Sequence, residues 1–142
     1  MIYTIDANVF VDATRQPEAL ARLKSFLGWA LPSTVLSSVV AAELARGART
    51  EFARRALESD IVELFRRRGR LAAPSADAWN RSGALLSRAD AQAISASRQN
   101  DVLLAHQARE YGWCIITRDR DFESLRRQIR GLRVSAPFPS RK

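Results

Sequence analysis

Two short apolar runs constrain this 142-residue chain most: MIYTI at its start and WCIIT at residues 113–117, both rich in β-branched residues. Without polar alternation, such runs read as strands buried on both faces, as in parallel sheets covered by helices. Helical patterns fill the space between them. PEALARLKSFLG has Pro17 in its first turn and Gly28 after its end, and SSVVAAELARGA is capped by Ser37 or Ser38 and ends near Gly47. TEFARRALESDIVELFRRRG continues in helical period, with Phe52, Ala56, Leu57, Ile61, Leu64 and Phe65 on one side, which predicts a helical hairpin with the segment before it. SADAWNRSGALLSRA opened by Ser75, NDVLLAHQAREYG closed by Gly112, and DFESLRRQIRG capped by Asp121 complete the helices. WALPSTVL is a weaker strand because of Pro32, and LAAP and LRVSAP are short strand candidates. Strands alternating with helices predict one α/β domain over residues 1–142 with a mostly parallel central sheet. DAQAISASRQN, before Asp101, carries no legible pattern.

Each apolar run ends beside an acid, Asp6 after the first and Asp119 just past the second. In open parallel sheets ligands gather at the carboxyl ends of the strands, so these two acids are candidates for one shared rim, although either could simply cap a helix or hold a turn. Glu43 is more informative, because Val39 and Val40 stand three and four residues before it on a helix and turn its carboxylate toward the interior. Asp101 shares a face with Leu104 and Ala105, while Asn100 or Asp101 could instead be the N-cap. Asp121 is the better cap of its helix, which leaves Asp119 the freer acid in TRDRDF.

Four acids converging without counter-charge would repel one another, and an unpaired buried charge costs several kcal/mol (order of magnitude). A divalent cation removes that conflict. Oxygen ligands without His or Cys beside them favour Mg²⁺ or Mn²⁺ over zinc. Arg118 and Arg120 flank Asp119, placed either to meet a substrate phosphate or to neutralise a neighbouring carboxylate.

Other chemistries lack support. A lone His106 cannot build a histidine relay, a single Cys114 reads as a core residue in a strand, and no GxGxxG or GxxxxGK[ST] follows either strand. The net charge is +8, with 23 basic against 15 acidic residues, which favours a nucleic acid partner. The run RRRGR (Arg66, Arg67, Arg68, Arg70) either contacts an RNA backbone or complements a helix C-terminus, and both readings stay open. With no apolar run of membrane-spanning length and no signal-peptide layout, a cytoplasmic protein is expected.

IDANVFVD, SSVVAAELARGA, NDVLLAHQAREYG and CIITRDRDF, in that order and covering almost the whole chain, resemble the PIN-domain ribonucleases, in particular the small VapC-like toxins of bacterial toxin–antitoxin pairs. The resemblance implies a three-layer α/β/α sandwich. It also implies Asp6, Glu43, Asp101 and Asp119 around one or two Mg²⁺ or Mn²⁺ ions, with Asn8 and Thr117 beside them and Asp121 in support. RNA is then the substrate, a cognate antitoxin the inhibitor and a homodimer the assembly. Family members often carry a small residue where His106 lies, and DAQAISASRQN leaves the substrate-facing loop unaligned. Two further readings are a PIN-like nuclease in RNA processing or DNA cleavage without an antitoxin, and a non-catalytic RNA- or protein-binding module. A phosphotransfer domain of the haloacid-dehalogenase kind needs a second Asp where this chain has Asn8.

Overall fold

The computed structural model describes residues 1–88 and 96–141, so most of the DAQAISASRQN stretch lies outside the described residues. The chain runs β1 (Ile2–Ile5), α1 (Ala7–Arg15), α2 (Pro17–Ala30), β2 (Thr34–Ser37), α3 (Ser38–Gly47), α4 (Glu51–Leu57), α5 (Glu63–Arg66) and β3 (Leu71–Ala72). It continues through α6 (Ala76–Leu86), α7 (Ala96–Tyr111), β4 (Trp113–Ile116), α8 (Asp121–Gln128) and β5 (Arg133–Ser135).

All described strand pairings are parallel, in the order β3-β2-β1-β4-β5. The chain steps from β1 outward to β2 and β3, then crosses back to β4 and β5. Right-handed crossovers in opposite directions place the early and late helices on opposite faces, giving the layered α/β architecture expected from sequence. The reversal point lies between β1 and β4, which pair in register from Ile2 with Trp113 to Ile5 with Ile116. Ligands bind parallel sheets at the carboxyl ends of such neighbouring strands.

The apolar runs are buried as their composition requires. Ile5, Leu36, Ile115 and Ile116 are fully enclosed, with Phe10, Phe65, Leu104 and Phe122 packed over the sheet from the helices. On one face Tyr3 meets Phe26 and Trp29 edge to face, with ring centroids 5.4 and 6.4 Å away.

Several local expectations change. Helix α1 was not anticipated: it begins immediately after Asp6, where the apolar run seemed to continue, and buries Ala7, Val9, Phe10 and Ala13 on one face. Helix α2 does not stop at Gly28 but continues to Ala30, because Gly28 keeps helical backbone and does not act as a cap. The segment from Glu51 to Arg66 is one helical path interrupted by a π turn at Glu58–Val62. That wider turn breaks the common period. Val62 and Phe65 are buried as a result, whereas Phe52 is 84% exposed rather than turned inward.

Candidate active site

Asp6 is held where strand becomes helix. Its N–H donates to the Ile116 carbonyl, which extends the β1–β4 ladder by one bond (2.9 Å). Its Oδ1 accepts the Ala7 N–H at 2.8 Å and so caps α1. The Thr117 hydroxyl donates to Oδ2 at 2.9 Å, and the Asn8 side-chain amide donates to Oδ2 at 3.2 Å. Thr117 Oγ1 in turn accepts from Asn8 Nδ2 and from the Asp119 N–H, both at 3.1 Å. The two residues expected beside the acids therefore orient Asp6 directly.

The other three acids arrive from separate elements. Glu43 projects from α3 beyond the buried Val39 and Val40, on a helix that Ser37 caps by accepting the Val39 N–H at 3.1 Å. Asp101 lies in the second turn of α7 and is 8% exposed. Neither it nor Asn100 is the N-cap, because α7 begins at Ala96. Asp119 follows β4, and its Oδ1 accepts the Asp121 N–H at 2.9 Å. This reverses the assignment made from sequence: Asp119 carries the turn-closing bond, while Asp121 is exposed, makes no side-chain cap bond and does not line the site.

Asp6, Glu43, Asp101 and Asp119 line one cavity of about 370 Å³ together with Asn8, Arg118 and Arg120. None of the four acids forms an ion pair among the described residues. Arg118 is engaged elsewhere: its guanidinium grips Asp12 of α1 through two bonds of 2.5 and 3.1 Å. Of the two cations proposed for substrate, Arg118 thus neutralises a carboxylate outside the cluster, and Arg120 lines the cavity without a carboxylate partner among the described residues.

Asp6, Glu43 and Asp101 hold their protons more tightly than ordinary carboxyls. Burial, then the charges of Asp6, Asp119 and Glu43, push Asp101 up to about 8. Burial also raises Asp6, against the lowering effect of the Thr117 and Ala7 hydrogen bonds, and Asp119 adds to the rise. Glu43 is raised by burial and by Asp6, while a hydrogen bond from Asn100 and the charge of Arg46 oppose the shift.

Among the described residues no three His, Cys or carboxylate side chains stand close enough to form a ready-made metal site. The donor set nevertheless fits a hydrated Mg²⁺ or Mn²⁺. It offers only oxygen ligands, the four acids form no ion pair among the described residues, and the cavity has room for the waters that such ions retain.

Two residues escaped the sequence reading, and a third, Asn100, was weighed only as an N-cap, whereas it hydrogen-bonds Glu43. Asp12 would have been found once α1 was recognised, since it lies one turn from Asn8. Gln107, fully buried, accepts the Ser37 hydroxyl at 2.5 Å and donates to the Ala72 carbonyl at 3.0 Å, tying α7 to the start of α3. In the RRRGR run, Arg66 pairs with Glu58 and Glu63, and Arg68 donates to the Leu64 carbonyl near the helix C-terminus at 2.8 Å. His106 and Cys114 do not line the cavity. No described helix is long and apolar enough to cross a membrane.

Residues 3–128 match the PIN-domain family model. Among solved structures, the chain is similar to FitAB bound to an IR36 DNA fragment, at 18% identity over 99% of each chain with a TM-score of 0.68. It is also similar to a DNA-bound VapBC from Salmonella typhimurium, at 19% identity over 97% of this chain and 99% of that one with a TM-score of 0.67. A toxin–antitoxin complex from Klebsiella pneumoniae matches at 21% identity, again over 97% and 99%, with a TM-score of 0.66. No curated protein matches the sequence significantly.

Proposed function

The chain belongs to the PIN-domain family, and on that premise we propose that it is a Mg²⁺- or Mn²⁺-dependent endoribonuclease, the toxin of a toxin–antitoxin pair. The observation that carries the reading is the convergence of four acids from separate parts of the chain on one cavity, with no ion pair to any of them among the described residues. In a chain of net charge +8, arginine is not scarce. An acid cluster left without its own cations is suited to an external one.

In this reading Asp6, Glu43, Asp101 and Asp119 hold the cation, and Asn8 and Thr117 fix the carboxylate of Asp6. When bound there, a divalent ion supplies polarisation of a phosphate oxygen and a water of lowered pKa for phosphodiester hydrolysis. Arg120 is placed to meet the substrate phosphate. The Asp12 carboxylate holds the Arg118 guanidinium at the rim, where its charge draws the backbone without entering the acid cluster. Because the carboxyls must lose protons to ligate, cation affinity should rise with pH through the range in which Asp101 titrates.

The antitoxin is proposed by likeness to complexes whose titles describe VapBC, FitAB and toxin–antitoxin assemblies. The chain should also pair with a second copy through its helical face. The test is cleavage of total RNA with Mg²⁺, Mn²⁺ or chelator, for the wild type beside Asp6→Asn. Metal-dependent new RNA ends absent from the variant are expected; equal cleavage by both would sink the reading. A short reading frame found beside the gene, co-expressed with it, should suppress the activity.

A further inference from the structure

At the opposite end of the sheet from the acids, the amino ends of β4 and β5 carry arginines and an exposed ring. Tyr111 ends α7 and stacks on Trp113, with ring centroids 5.0 Å apart and planes at 23°. Trp113 is nearly enclosed while Tyr111 is 51% exposed. A ring stacked on one side has its free area on the other, so Tyr111 presents one open aromatic face on a rigid base.

Three arginines stand on the same rim: Arg133 pairs in register with Cys114, next to Trp113, and Arg109 meets Arg130 at the turn before β5. The Arg109 Nε donates to the Arg130 carbonyl at 2.5 Å, and its chain passes over Gly131, where an added Cβ would come within 2.6 Å of Nε. Gly131 also has φ +89°, so the glycine both makes the turn and leaves room for the arginine. This bond uses Nε alone and leaves the outer nitrogens of Arg109 without a hydrogen-bond partner among the described residues. Arg130 and Arg133 are exposed, and none of the three has a carboxylate partner among the described residues. The nearest acid in sequence, Glu110, accepts the Ser75 hydroxyl at 2.8 Å. Helix-dipole complementarity would account for Arg109, in the last turn of α7, but not for Arg133, which lies in a strand.

We propose that this surface is a second nucleic acid contact, in which a base stacks on Tyr111 and Arg109, Arg130 and Arg133 hold the flanking phosphates of a single strand. Sequence-tolerant single-strand sites combine these two elements, an aromatic platform and a basic track. The proposal rests on the nuclease reading only in making the strand a distal segment of the RNA substrate. Four-residue strands separate the two rims by roughly 13 Å, so an RNA of a few nucleotides would engage the acid cavity alone.

The test measures binding of a labelled single-stranded RNA of ~20 nucleotides by anisotropy in chelator, where nothing is cut, across a salt series. Tyr111→Ala should weaken binding about 5- to 100-fold and Tyr111→Phe should retain it. Arg130→Ala with Arg133→Ala should lower the salt slope by about 1.4. Melting curves establish that the variants fold, and cleavage of a short RNA with Mn²⁺ should be unchanged in all of them. Unchanged affinity and slope in the folded triple variant would overturn the proposal. So would a Tyr111→Ala protein whose only change is in oligomeric state, which would make the surface a contact between copies. A wild type that cuts no RNA, yet loses binding in these variants, would refute the nuclease reading and leave this surface standing.

Discussion

Along α4, the π turn and α5, Glu51 pairs with Arg54 and Arg55, and Glu58 and Glu63 share Arg66, with partners mostly three or four residues away. Asp6, Glu43, Asp101 and Asp119 come from parts of the chain far apart in sequence, form no such pairs among the described residues, and three of them hold their protons unusually tightly. The outer acids are neutralised locally and stay in water, so their loss should matter little. The cavity acids oppose the fold that gathers them, and such a cost persists where a site needs unsatisfied charge. The difference separates acids that decorate the protein from acids that act in it.

The contrast is broken most directly at Asp101. Asp101→Asn should reduce metal-dependent RNA cleavage more than about 100-fold while leaving the metal-free protein as stable or more stable. Cleavage rates and melting temperatures measured on one preparation check both directions, and a destabilised variant would argue against uncompensated charge. Thr117→Val should cost about 10- to 100-fold in activity by freeing the carboxylate of Asp6, with rescue by Thr117→Ser.

Metal and pH sharpen the comparison next. Mg²⁺ or Mn²⁺ at 100 times its dissociation constant should stabilise the wild type by about 2.7 kcal/mol, and Asp101→Asn by far less, in thermal or denaturant unfolding. Without metal, Asp101 keeps its proton in the folded chain up to about 8, whereas the unfolded chain releases it near 3.8. The folded state therefore binds more protons in that window, and its stability falls as pH rises through it. The wild type should show a steeper decline than Asp101→Asn between those limits; parallel curves would refute the shift. The smallest effect belongs to the outer helix, where Glu51→Gln should change stability by less than about 0.5 kcal/mol and leave cleavage unaltered.

The cavity was legible because each acid broke a local rule: Asp6 and Asp119 stand at the ends of buried strands, and Glu43 and Asp101 face inward from helices. Strand ends and inward helix faces singled the four out, and the resemblance to PIN-domain ribonucleases joined them in one site. Helix α1 was hidden because MIYTI and ANVFV form one apolar stretch, and Asp6, the single polar residue between them, both caps the helix and lines the cavity. The Asp12–Arg118 grip was invisible because the partners lie 106 residues apart. Phe52 was misplaced because a period counted through residues 52–65 assumes an unbroken α-helix, and the π turn shifts its phase. The pairing of Asp119 with the Asp121 N–H depends on loop geometry that residue types do not encode.

The pairing of β1 with β4 has a consequence in time. The first strand acquires this neighbour, and Asp6 its Thr117 hydroxyl, only after more than a hundred further residues have been made. Contacts so distant in sequence close late and cooperatively. A growing chain on the ribosome therefore carries Asp6 and Glu43 without a cavity until β4 and Thr117 have been made. Fragments that stop short of β4 should lack the cavity altogether.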